Sequence, residues 1–100
     1  MTRLIIDVRE PEEFAIDHVE GAINLTPKEI LDGAEALKDV PKETELVLYC
    51  VTGTRSSFAI IELQKLGYSN IVNGINKYHV NSKYSAYTWA ALNRKSSWLF

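Results

Sequence analysis

A chain of 100 residues with 46% hydrophobic and 24% charged content is ordinary for one small globular domain and argues against a second. No run approaches the roughly 18 apolar residues of a membrane span, and MTRLIIDVRE meets acidic residues too soon for a secretory signal. A net charge of −2 gives no sign of a nucleic-acid partner, and a single cysteine, Cys50, excludes an internal disulfide or a multi-cysteine metal site and fits a reducing, cytoplasmic setting.

That net charge hides an asymmetry. Residues 1–45 hold 12 acids and 5 bases, whereas residues 46–100 hold 1 acid and 6 bases. The half that carries Cys50 is the positive one, which suits an anionic substrate.

In chain order, Leu4, Ile5 and Ile6 predict a short strand whose carboxyl end carries Asp7 and Arg9. Glu10-Pro11-Glu12-Glu13-Phe14 then reads as a helix start, with proline in the first turn and acids favoured by the helix dipole. The chain returns to a strand through Ala22, Ile23 and Asn24. Thr26-Pro27-Lys28-Glu29 is a capping box, followed by an apolar stripe of Ile30, Leu31, Ala34 and Leu37, and Val40-Pro41-Lys42-Glu43 ends that helix.

Leu46-Val47-Leu48-Tyr49 is a continuous apolar run of the kind buried in a parallel sheet, and it delivers Cys50 to a strand's carboxyl end. The polar loop Val51-Thr52-Gly53-Thr54-Arg55 follows. Ser56 and Ser57 open a helix with apolar positions at Phe58, Ile61, Leu63 and Leu66, and Gly67 supplies its C-terminal positive-φ residue. Asn70-Ile71-Val72 is a further strand. Strands alternating with helices predict an α/β domain with a mainly parallel sheet, in which ligands bind beyond the strands' carboxyl ends. Asp7, Arg9, Cys50 and Asn73 fall near that edge.

Backbone N–H groups without intrahelical partners and the dipole of the helix make the loop after Cys50 an anion-favouring concavity. A thiol at its lip ionises more readily than a free one, so Cys50 is a nucleophile candidate rather than an inert core cysteine. Residues 79–100 hold Tyr84, Tyr87, Trp89 and Trp98 and no acid. Tyr84, Tyr87, Thr88, Ala91 and Leu92 fit one helical face, which predicts an aromatic, basic tail over 81–100 packed as a helix on a domain of residues 1–80.

The segment CVTGTR resembles the Cys-x-x-Gly-x-Arg active loop of rhodanese-like sulfurtransferases. Asp7-Val8-Arg9-Glu10, Glu13-Phe14 and His18-Val19-Glu20-Gly21-Ala22-Ile23-Asn24 resemble that family's DVRE, EF and HIxGAxN segments, in the same order. The resemblance covers roughly residues 4–78. It implies a three-layer domain with a mainly parallel central sheet of four to five strands flanked by helices. It also implies thiosulfate sulfurtransferase activity: Cys50 would carry a sulfur atom as a persulfide from an anionic donor such as thiosulfate to cyanide or to a thiol, including a protein thiol, with no cofactor and no metal. The amides of Val51, Thr52, Gly53, Thr54 and Arg55 would cradle that sulfur, and the Arg55 side chain would either bond loop carbonyls or meet the donor. Asp7 and Arg9 would support the loop, and His18 would pack and hydrogen-bond locally.

The chain departs from the family in two places. Only three residues precede the strand that leads into the DVR segment, and Asn73-Gly74-Ile75-Asn76-Lys77-Tyr78 stands where members commonly show Gly-Gly-x-x-x-Trp. Asn73 is expected to keep that turn, since Asn tolerates positive φ, and Tyr78 to take over the Trp packing. Two other readings start from the same residues. One is a Cys-dependent phosphatase or arsenate reductase, which typically has five residues between its Cys and Arg where four lie between them here. The other is a non-catalytic rhodanese-like binding module, which often lacks the cysteine.

Overall fold

The computed structural model describes residues 3–84. Strands β1 (Arg3–Asp7), β2 (Ile23–Asn24), β3 (Glu45–Cys50) and β4 (Ile71–Asn76) form one sheet in the order β2-β1-β3-β4. Every neighbouring pair is parallel. Between and after them run helices α1 (Pro11–Ile16), α2 (Pro27–Leu31), α3 (Thr54–Lys65) and α4 (Lys77–Lys83), with a 3-10 turn at Glu35–Leu37. No described helix is long and apolar enough to cross a membrane.

The sheet is apolar on both faces, as its continuous runs of branched residues require. Leu4, Ile6, Leu46 and Leu48 face one way and pack with Ile30, Leu37, Ala59 and Leu63. Ile5, Val47 and Tyr49 face the other way and pack with Val80 of α4 and the half-buried Phe14 of α1. The result is the expected three-layer α/β domain with a four-stranded parallel sheet.

Strand order places the site. From β1 the chain moves out to β2 on one side and then returns to β3 on the other, so β1 and β3 flank the point where the winding reverses. In an open α/β sheet the crevice at that point, beyond the carboxyl ends, is where ligands bind. Asp7 ends β1 and Cys50 ends β3.

Several local expectations are corrected. On α3 the buried residues are Ser56, Ala59 and Leu63, while Phe58 (46% exposed) and Ile61 (53%) face outward. The helix lies close against the sheet behind the Cys50 loop, and small residues permit that approach. Leu31 is likewise exposed, because α2 ends there and the chain turns through Gly33 (φ 115°) and Ala34 (φ 51°) before Leu37 re-enters the core.

Tyr78 does not replace a packed Trp, being 73% exposed. Val80, two residues on and fully buried, packs with Val47 and Tyr49 instead. It sits so close to Gly74 that a Cβ there would lie 2.5 Å from Val80 Cγ2. Nor is Asn73 the positive-φ residue: β4 skips Gly74 in its pairing with β3, and the left-handed residue of that bulge is Ile75 (φ 72°). Trp89, Trp98 and the rest of the expected tail helix beyond Tyr84 lie outside the described residues.

Candidate active site

β3 carries Cys50 to the end of the sheet, and the chain then arcs through Val51, Thr52 and Gly53 into α3. Gly53 is the residue before the helix and takes φ 93°, a conformation that side-chain-bearing residues rarely adopt. This turn folds the loop back over the cysteine. The Gly53 N–H donates to Cys50 Sγ at 3.1 Å, and Ser56 Oγ lies 3.6 Å from the same sulfur.

Cys50 is buried, at 3% exposure, while Val51, Thr52 and Thr54 form the exposed outer wall of the loop. Burial pushes the thiol pKa up, but the backbone N–H groups of Ser56, Gly53 and Thr52, with the Ser56 hydroxyl when it turns its proton to the sulfur, more than offset it, leaving Cys50 at about 7. A thiol held there is substantially ionised at neutral pH.

Among the described residues the Arg55 side chain bonds no loop carbonyl. Its guanidinium donates to the Glu13 carboxylate of α1 at 2.8 and 3.3 Å. The Arg55 hydrogen bonds are the main cause that holds Glu13 down at about 2, and Glu13 in turn raises Arg55. An acid from the acidic half of the sequence thus balances the cation of the basic half.

Asp7 and Arg9 form a bidentate pair, with Arg9 Nη2 2.7 Å from Asp7 Oδ2. The Tyr49 hydroxyl donates to Asp7 Oδ2 at 2.9 Å and accepts the Val19 N–H at 3.0 Å. Asn24 Nδ2 donates to the carbonyls of Asp7 and Arg9 at 3.0 and 2.9 Å. These bonds fix the ends of β1 and β3 beneath the loop. His18 accepts its local role, its Nδ1 2.8 Å from the Phe14 carbonyl oxygen and its ring stacked on Phe14 at 3.6 Å between centroids.

A rhodanese-like domain model matches residues 1–80. The chain belongs to the rhodanese-like domain family. It is 39% identical over 69 residues to the thiosulfate sulfurtransferase PspE of Escherichia coli, a match covering 68% of this chain and 64% of PspE. It is 42% identical over 69 residues to the probable adenylyltransferase/sulfurtransferase MoeZ of Mycobacterium tuberculosis, covering 69% of this chain and 17% of MoeZ. Among solved structures, a rhodanese with anions from E. coli superposes with a TM-score of 0.68 at 31% identity, over 77% of this chain and 89% of that one. The chain therefore spans about a sixth of MoeZ and under two thirds of PspE.

Within this rhodanese-like site, three side chains escape a reading of the sequence alone. Glu13, Ser56 and Asn73 each touch the Cys50 loop or its arginine. Glu13 stands in the EF segment, but nothing in its spacing says that it meets an arginine 42 positions away. Ser56 directly follows Arg55, one helical turn beyond Gly53, and that spacing is a signal for a serine reaching back to the loop. Asn73 falls near the ligand-binding edge already in the sequence, but nothing there says that its side chain bonds Gly53, Ser56 and Ser57.

Proposed function

We propose that this chain is a sulfurtransferase that carries a sulfane sulfur on Cys50. The Cys50 thiolate attacks the outer sulfur of an anionic donor such as thiosulfate, forming the Cys50 Sγ–S bond while the S–S bond of the donor breaks and sulfite leaves with the electron pair. Cyanide or a thiolate, on a small molecule or a protein, then attacks the terminal sulfur and releases the Cys50 thiolate. Atoms and electrons balance without a cofactor. This is covalent catalysis, one transfer split into two easier ones.

The observation that carries this reading is the cradled thiol: a buried cysteine that accepts the Gly53 N–H at 3.1 Å, with its pKa brought to about 7. The amides of Val51, Thr52, Gly53, Thr54 and Arg55 would stabilise charge on the terminal sulfur as an oxyanion hole stabilises oxygen. The Arg55 side chain, anchored by Glu13, would hold the loop and present its remaining N–H groups to the donor. Asp7 and Arg9 support the strand ends. A carrier that works as a single thiol suits a reducing compartment such as the cytosol.

The test is thiosulfate-dependent thiocyanate formation from cyanide by the full chain and by Cys50→Ser. Turnover by the wild type that vanishes in the variant supports the reading. Turnover that survives the loss of Cys50 refutes it.

A further inference from the structure

The Asn73 side chain bonds to four groups beside the loop. Its Nδ2 donates to the Gly53 carbonyl at 3.3 Å and to Ser57 Oγ at 2.9 Å. Its Oδ1 accepts the Ile75 N–H at 2.9 Å and lies 2.7 Å from Ser56 Oγ. Two of these partners settle which way the amide points. The Ile75 N–H can only donate and the Gly53 carbonyl can only accept, so the oxygen of Asn73 faces Ser56. Ser56 must then be the donor in the 2.7 Å bond.

A hydroxyl has one proton, and here three acceptors claim it: Asn73 Oδ1 at 2.7 Å, the Gly53 carbonyl at 3.1 Å and Cys50 Sγ at 3.6 Å. The shortest bond goes to Asn73. With the proton turned that way, Ser56 presents lone pairs to the sulfur. Lone pairs welcome a thiol, which can donate, and oppose a thiolate, which needs a donor. To stabilise the thiolate, Ser56 must rotate its proton off Asn73.

We propose that Asn73 is a positioning residue that governs the reactivity of Cys50 by competing with its sulfur for the Ser56 hydroxyl proton. Asn73 is itself held rigidly, because its oxygen also caps the backbone of Ile75, a β-branched residue kept at φ 72°. Of the charged groups at this end of the sheet, Asp7 pairs with Arg9, Glu13 of α1 with Arg55 of α3, and Asp17 with Lys77 of α4, while Glu10 adds its charge near Arg55. None of them is bonded to Asn73, so substituting it leaves those pairs in place. The proposal concerns the thiol and does not depend on which group Cys50 transfers.

Alkylation of Cys50 by iodoacetamide, followed against pH in the full chain, reads the thiolate with no sulfur donor present, so failure here is distinct from failure of the sulfurtransferase reading. Asn73→Ala removes the competitor, and the midpoint should fall by about half a unit to one unit, the worth of one hydrogen bond gained by the thiolate. In a Ser56→Ala background the same substitution should move nothing. Asn73→Asp keeps the acceptor and adds a negative charge, so it should raise the midpoint. An unchanged or raised midpoint in Asn73→Ala overturns the proposal, as does an equal shift with and without Ser56. Should Asn73→Ala fail to fold, an Asn73→Asp midpoint at or below the wild-type value overturns it alone.

Discussion

Arg55 in the first turn of α3 is clasped by Glu13 of α1 through two hydrogen bonds of 2.8 and 3.3 Å, across a separation of 42 residues. The contact ties the loop that follows Cys50 to a helix on the opposite face of the sheet. It also means that the cation beside the thiol is already partly neutralised, so its geometry matters as much as its charge.

Arg55→Lys should therefore cost about 10-fold in kcat/KM for thiosulfate, because an ammonium cannot hold both Glu13 oxygens and leave N–H groups for the anionic donor. The pair is partly exposed, at 36% and 35% for the two side chains, so its contribution to stability is small, under about 1 kcal/mol. Steady-state kinetics beside a urea melt separate these effects. A wild-type rate would make Arg55 a bystander.

Cys50 alkylation in the wild type should be half-maximal near pH 7 and fall about tenfold for each unit below it. The folded thiol pKa lies below that of a free thiol, about 8.5. Its stabilisation is absent below pH 7, grows between the two values and is complete above the higher one. The stability difference between wild type and Cys50→Ser should accordingly widen from pH 7 to 9. A difference that narrows over that interval would show that burial dominates over the amides.

Gly74→Ala should destabilise the fold by about 1–3 kcal/mol, the usual cost of overpacking. The added methyl would lie 2.5 Å from Val80 Cγ2 and 3.0 Å from Val47 Cγ1. Val80→Ala in the same chain should recover part of that loss, which a denaturant midpoint reads directly. No recovery would locate the strain in the backbone instead.

Four residues separate Cys50 from Arg55, and Thr54 already belongs to α3, so the free arc is only Val51–Gly53. Such an arc encloses one terminal sulfur more readily than a phosphoryl group with three equatorial oxygens. The wild-type protein should show no hydrolysis of aryl phosphates. A glycine inserted between Thr54 and Arg55 should weaken sulfur transfer. Efficient phosphatase activity in the unmodified chain would contradict the argument from loop size.

Much of this was legible in the chain. Leu46 to Cys50 reads as a buried parallel strand, Thr26 and Glu29 form the capping box that their types announce, and Gly67 takes the positive φ expected of it. Those signals are local, and local chemistry decides them. The clasp between Arg55 and Glu13 is set by tertiary packing, which no spacing encodes. The burial of Ser56 and Ala59 in place of Phe58 and Ile61 has a similar origin, since the close seat of α3 on the sheet selects small residues over apolar ones. Asn73, whose residue type predicts the bend, uses its side chain instead, while Ile75, the residue after the skipped Gly74, takes the positive φ.

The account turns on Cys50 as a covalent sulfur carrier. Intact mass of the full chain after incubation with thiosulfate and removal of the excess tests it most directly. The mass should rise by one sulfur atom, return to its starting value on addition of cyanide, and stay unchanged throughout in Cys50→Ser. A wild-type protein that gains no sulfur, or a Cys50→Ser variant that does, would contradict it.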